Sequence, residues 1–188
     1  MLEKTIHSHP DEAARLAYIK DTLEHCPFES LKASIIGILK DEISAATSTD
    51  AGDKPSLFAS PLLLDELSMF LFPNLSDILD QESDSAAAEE AKWDWFIENY
   101  AVILATSSLW YFLLKREYQG QKGVCGIAGW GERIESRWLG KLRAWLDDVA
   151  ADEELQELIK KRGLDADVDI ARCSFDMVDE VRKEAASA

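Results

Sequence analysis

The sequence predicts an all-α protein, a HEAT- or armadillo-like helical repeat of about seven to eight helices arranged around one long central helix. Three observations carry this prediction. Apolar residues recur at spacings of three and four in nearly every segment, and none alternates with period two for long enough to require a strand. Prolines stand at the ends of these segments. The run from Ala86 to Tyr118 contains neither Pro nor Gly and far exceeds the ordinary helix length of about 11–12 residues.

Taken in order, Pro10 is expected to open a first helix, with Ala13, Leu16, Ile19, Leu23 and Cys26 along one face. Pro27 stops it and presets the next, whose inner stripe is Leu31, Ile35, Ile38 and Leu39, with Lys32, Lys40 and Glu42 outside. Residues 47–56 have loop composition. Ser60-Pro61 supplies a cap and first-turn proline for Leu62 to Phe72, and Pro73 ends that helix. Residues 80–88 read as an acidic mobile tip leading into the long helix, whose inner face includes Trp93, Phe96, Tyr100, Ile103, Leu104, Trp110 and Leu114. Residues 101–114 are apolar on nearly all sides, which predicts burial on nearly all sides. The Gly-rich stretch 119–131 is expected to be a flexible loop. A helix from about Glu132 to Val149 comes next, with Ile134, Trp138, Leu142, Trp145 and Leu146 inward. Asp152 caps another helix that ends in Lys160-Lys161-Arg162-Gly163, base before a terminal Gly as the helix dipole favours. A last helix, from about Ile170 to Glu184, presents Met177, Val178 and Val181.

The chain has 188 residues, 20 basic against 36 acidic, for a formal charge of −16, and is 47% apolar. That length suits one domain over 1–188 or a piece of a larger helical protein, and the apolar share excludes wholesale disorder. The charge excludes non-specific binding to nucleic acid or to an anionic membrane surface. Its distribution is uneven: residues 41–98 carry two basic and fourteen acidic groups, whereas 99–146 carry seven basic and three acidic. Three cysteines without CxxC spacing and an N-terminus without signal architecture point to the cytoplasm, with the nucleus as a second compartment. Asn99 to Leu114, the longest uncharged run, is sixteen residues, short of the roughly 20 that a membrane span requires.

No catalytic spacing stands out, so no enzyme activity and no cofactor are expected. Gly120 to Gly131 holds five glycines, but it is no phosphate loop, since no strand precedes it. His7, His9, His25 and Cys26 lack the paired spacing of a zinc site, so no metal is expected either. Cys125 is expected to be the exposed thiol, with Lys122 nearby to lower its pKa, and is the redox candidate. Cys26 reads as a small core hydrophobe. The better-motivated group is basic: Arg133, Arg137 and Lys141 recur every four residues beside Trp138, and Lys115, Arg116, Lys122 and Arg143 add to the segment. Two readings stay open for it, salt bridging to the domain's own acidic helices or docking an acidic or mixed-charge protein partner.

The stretch from His25 to Ile43, a Cys-Pro-aromatic turn opening a helix that ends Lys-Asp-Glu, resembles a segment of the glomulin-like family. Leu71-Phe72-Pro73 followed by the Trp-rich helix is similar to the family's order of elements. The family includes animal glomulin, a plant lateral-root protein and fungal proteins that bind an AP-1-type stress transcription factor. The resemblance implies a non-catalytic HEAT-like adaptor, here the C-terminal portion of a longer protein. It implies as partner either the RING-box subunit of a cullin ubiquitin ligase, whose surface for the ubiquitin-conjugating enzyme is masked, or the stress transcription factor, whose peroxide-dependent oxidation is assisted. One fungal paralogue serves at the kinetochore. The acidic balance and the Ser/Ala/Asp-rich insertions resemble the fungal members more than the animal ones. No contact residue carries over by motif. A second function, thiol-dependent exchange through Cys125 in peroxide signalling, stands as the alternative.

Overall fold

The computed structural model describes residues 9–48, 55–80, 86–118 and 124–186, and all regular structure among them is helical. In chain order these elements are α1 (Glu12–His25), α2 (Glu29–Ala46), a 3-10 turn (Leu57–Ala59), α3 (Leu62–Leu71), the single turn α4 (Ser76–Leu79) and α5 (Ala86–Tyr118). A second 3-10 segment (Val124–Gly129) leads to a composite helix α6, made of Gly131–Ile134, a π-helical turn Glu135–Leu139 and Gly140–Ala151. α7 (Glu153–Arg162) and α8 (Asp165–Ala186) complete the order.

Local chemistry sets the boundaries. Asp11, not Pro10, opens α1: its carboxylate accepts from the Ala13 amide at 2.9 Å and satisfies one of the orphan N–H groups of the first turn. Pro27 forces Cys26 into extended backbone and ends the helix there. The Ser60 hydroxyl accepts from the Leu62 amide at 3.3 Å, and Asp152 caps α7 through the amides of Glu154 and Leu155 at 2.8 and 3.2 Å. α7 closes on Gly163 at φ 70°. α8 begins five residues before the expected Ile170, and Met177 points to solvent, while Val178 and Val181 are buried as expected.

α5 is the axis of the packing. Trp93, Phe96, Ile103, Leu109, Trp110, Leu113 and Leu114 are all buried. α2 lies parallel to it: Lys40 reaches Ser108 at 3.1 Å, and Arg116 reaches the Ser44 hydroxyl at 3.1 Å near the end of α2. α6 runs antiparallel, as Phe72 bridges the rings of Trp110 and Trp138 at 5.8 and 5.5 Å while Trp93 meets Trp145 at 4.8 Å. α8 runs parallel again, with Asp167 beside Tyr100 and Glu184 beside Lys115. By length and composition Ala88–Tyr118 is apolar enough to cross a membrane, but here its large side chains form the centre of this fold. Its burial is less than complete, since Ile97, Ala101 and Ser108 remain exposed.

Two arrangements differ from the amphipathic reading. Glu42, expected outside, is 5% exposed, because Arg15 of α1 reaches its carboxylate through Nη2 at 3.0 Å and Nε at 3.1 Å. The same guanidinium sits 5.4 Å from the Phe58 ring centre, so one pair fixes α1, α2 and the first 3-10 turn together. The π turn in α6 is the other. There the Gly140 amide donates to the Glu135 carbonyl, one residue further back than in an α-helix. Trp138 and Leu139 are consequently both buried, and the Arg137 carbonyl accepts instead from the Leu75 amide at 3.0 Å, fastening the segment before α4. A Cβ on residue 140 would lie 2.5 Å from the Glu135 oxygen, which is why glycine stands there.

Denaturant titration can check both arrangements. Gly140→Ala should destabilise by about 1–3 kcal/mol through overpacking, opposite in sign to the gain of about 1 kcal/mol that Gly→Ala brings to a regular helix. Glu42→Ala should lower the unfolding free energy by about 1–3 kcal/mol, since it leaves Arg15 with the more distant Glu12 carboxylate at 3.9 Å and the His9 carbonyl.

Candidate functional site

The glycine content of the 119–131 connector predicts an open loop carrying a reactive thiol. Gln119 to Gly123, with Lys122, lies outside the described residues, as do 49–54 of the expected first loop and 81–85 of the acidic tip. The segment from Val124 onward is packed. Cys125 and Gly126 take left-handed backbone at φ 54° and 63°, which turns the Cys125 side chain inward. It is 0% exposed, and its thiol donates to the Phe58 carbonyl at 3.2 Å. Gly126 presses on Pro61, where a Cβ would come within 2.8 Å of the proline Cβ, and Ile127 is buried beside it. Burial pushes the Cys125 thiol from 9.0 up to about 12. The expectation of an exposed, activated Cys125 is thus corrected, since burial of the thiol disfavours its charged form. The apolar pair Cys125 and Ile127 within the glycine run was the signal for a packed segment. Cys26 is half-buried at the end of α1, and Cys173 on α8 is exposed.

The basic residues divide into two sets. Arg143 bridges Glu135 at 2.6 Å and Asp179 at 3.0 Å, and Glu135 also takes Arg182 at 2.6 Å, so this network ties α6 to α8. Lys141 pairs with Asp80, which fixes the end of α4 to α6 and places the start of the expected mobile tip against the body. Lys115 donates to the Tyr111 hydroxyl at 3.0 Å, and Arg116 lies over the Phe112 ring at 4.9 Å. For these four the salt-bridging and packing reading holds.

Arg133 and Arg137 behave differently. Both are exposed on the outer side of α6, and among the described residues no carboxylate lies within ion-pair distance of either. Arg133 stacks over the Trp130 ring at 5.1 Å, a cation–π contact that holds the guanidinium against an aromatic surface. Arg133 stands two residues before the π turn and Arg137 lies within it, where its carbonyl accepts from the Leu75 amide. Trp130, which the basic spacing alone did not single out, joins them as an aromatic ring beside two guanidinium groups that have no carboxylate partner among the described residues. Such a face suits carboxylates and carbonyls presented by another protein, because Arg offers donors in a planar fork and Trp offers area at low entropy cost.

Nothing in this face assembles a nucleophile, a base or a ligand cluster, and among the described residues no group of three or more His, Cys, Asp or Glu is placed to hold a metal. Residues 1–171 match the model of a family described as "Uncharacterised protein family, YAP/Alf4/glomulin". The chain belongs to the YAP/Alf4/glomulin family. The glomulin-like resemblance of the Cys-Pro-Phe corner is thereby extended over nearly the whole chain. No curated protein and no solved structure gives a significant match. In this family member the match covers Trp130, Arg133 and Arg137 and ends inside α8, so the later turns of that helix extend beyond it.

The buried thiol has a pH signature. An acid whose folded pKa is raised leaves stability untouched below its unfolded pKa and erodes it above. Stability should therefore hold up to about pH 8 and fall from about 9 toward 12, by up to about 1.4 kcal/mol per pH unit from this group. The difference between the parent and Cys125→Ala, measured by urea titration at pH 7 and pH 10, isolates that contribution from other titrating groups.

Proposed function

We propose that the protein is a non-catalytic, protein-binding adaptor on a HEAT-like helical scaffold, and that it docks its partner through Trp130, Arg133 and Arg137. One observation carries the reading: on a helix whose other cations are consumed in holding the fold together, these two arginines are left exposed, one of them stacked on a half-buried tryptophan. Membership of the YAP/Alf4/glomulin family supports an adaptor role in general terms. The glomulin-like resemblance suggests the partner, a RING-box subunit of a cullin ligase or an AP-1-type stress transcription factor, and the arginines call for an acidic or mixed-charge surface on it. On this reading the protein works in the cytoplasm and nucleus and binds neither nucleic acid nor membrane.

Arg143 and Lys141 contribute to this surface only by fixing α6 in place. The thiol-dependent alternative has no observation in its favour, because Cys125 is buried and protonated.

Arg133→Glu combined with Arg137→Glu should weaken capture of a purified RING-box–cullin complex, or of the transcription factor, by about thirtyfold or more, in line with the roughly 2 kcal/mol threshold of an interface hot spot. Circular dichroism should stay unchanged. Arg143→Ala should do the reverse, lowering the melting temperature with little effect on affinity. Unaltered binding of both partners by the folded double variant would remove this face from the proposal.

A further inference from the structure

The inner side of α8 is fully engaged. Val168, Ala171, Phe175, Val178 and Val181 are buried, and Arg182, Asp179 and Arg172 tie the helix to α6 through Glu135, Arg143 and the Leu146 carbonyl. Its outer side is also ordered, but toward nothing in this chain that the structure describes. Ala166, Ile170, Cys173 and Met177 succeed one another at spacings of four, three and four, which places them on one stripe along about three turns. All four are exposed, and the two large ones strongly so: Ile170 is 51% and Met177 47% accessible.

Along one edge of this stripe run Asp169, Asp176 and Glu180, spaced seven and four so that they too share a line. All three are exposed, and among the described residues none has a cation within ion-pair distance, in contrast to Asp179 on the inner side. Of the two cations near that edge, Arg172 is turned down onto the Leu146 carbonyl and Asp147, and Lys183 stands at its C-terminal end, one turn beyond Glu180. An apolar stripe bordered by a row of unneutralised carboxylates is one half of an amphipathic helix pair, and it specifies the charge of the other half.

We propose that the outer face of α8 docks a basic amphipathic helix of a partner protein, whose aliphatic stripe packs on Ile170, Cys173 and Met177 while its Lys or Arg flank meets Asp169, Asp176 and Glu180. The small side chains of Ala166 and Cys173 let a second helix approach to ordinary interaxial distance, and the inner ion pairs hold α8 rigid, so little conformational entropy is lost on docking. A second copy of this chain fits the same face poorly, since it would bring a like-charged row of carboxylates to the interface. This surface is opposite in sign to the Trp130 face and independent of it.

The test uses the full chain and a designed helical peptide of about five turns, with Leu at the stripe positions and Lys on both flanks. Two controls accompany it, one with Glu replacing Lys and one with the Lys/Leu sequence scrambled. Binding is followed by fluorescence anisotropy, and the alkylation rate of Cys173 is read on its own proteolytic fragment. The Lys peptide should bind and slow Cys173 alkylation about tenfold or more, with neither control doing so. Ile170→Ser with Met177→Ser should weaken binding by at least about tenfold. Reversal of the three carboxylates to Lys should abolish it and admit the Glu peptide; all these sites are exposed, and circular dichroism checks that the helix persists. Absence of protection, equal protection by the scrambled peptide, or Cys173 protection that rises with protein concentration alone would each overturn the proposal, the last in favour of a second copy.

Discussion

Trp93, Phe96, Ile103, Leu109, Trp110, Leu113 and Leu114 leave α5 in several directions, and covering them is the constraint that places α2, α6 and α8, on which the other helices rest. Each such side chain contributes about 1.5–3 kcal/mol when fully removed from water, so the long helix cannot stand without α2, α6 and α8 around it. Phe72 shows how tightly this works: one residue after α3 it is the edge-on partner of both Trp110 and Trp138, joining the C-terminal third of α5 to the π turn of α6. The shorter helices α1, α3 and α7, of 14, 10 and 10 residues, gain their stability from packing rather than from propensity.

Around that apolar centre, cations act as clips. Arg15 joins α1 to α2 through Glu42, Arg116 reaches the end of α2, Lys141 joins α4 to α6 through Asp80, and Arg143 and Arg182 join α6 to α8 through Glu135 and Asp179. With so many positive groups engaged inside an acidic chain, the exposed Arg133 and Arg137 are conspicuous by contrast, as are Asp169, Asp176 and Glu180 of α8, which have no ion-pair partner among the described residues. Charge that the architecture does not consume is what remains for recognition. The two faces it leaves, one basic and aromatic on α6 and one acidic and aliphatic on α8, differ enough in chemistry to serve different partners.

Much of this order is legible in the sequence because the relevant signals are local. The uninterrupted run 86–118, the proline corner after Cys26, the Asp152 cap and the Gly163 stop each depend on a few neighbouring residues, and each stands where expected. The features that escape a sequence reading depend on contacts distant along the chain. Glu42 looks like a surface acid until Arg15, 27 residues earlier, is brought beside it. Lys141 looks equivalent to Arg133 and Arg137 in spacing, and only the placement of Asp80 separates it from them. Cys125 looks exposed because glycines surround it, whereas the turn they permit is the left-handed one that buries it. The π turn has a local marker, Gly140 five residues after Glu135, but the reason for it is the Leu75 amide waiting at the Arg137 carbonyl.

The arginines divide into structural clips and an exposed pair, Arg133 and Arg137, with no carboxylate partner among the described residues. Arginine modification of the folded chain by phenylglyoxal, followed site by site by mass spectrometry, measures that division directly. Arg133 and Arg137 should react at nearly the rate of the unfolded chain, while Arg15, Arg143 and Arg182 should be slowed by an order of magnitude or more, about what a loss of 1.4 kcal/mol in accessibility implies. Arg143 and Arg182 reacting as fast as Arg133 would show that the network across α6 and α8 does not form, and the distinction between clip and surface would fall with it.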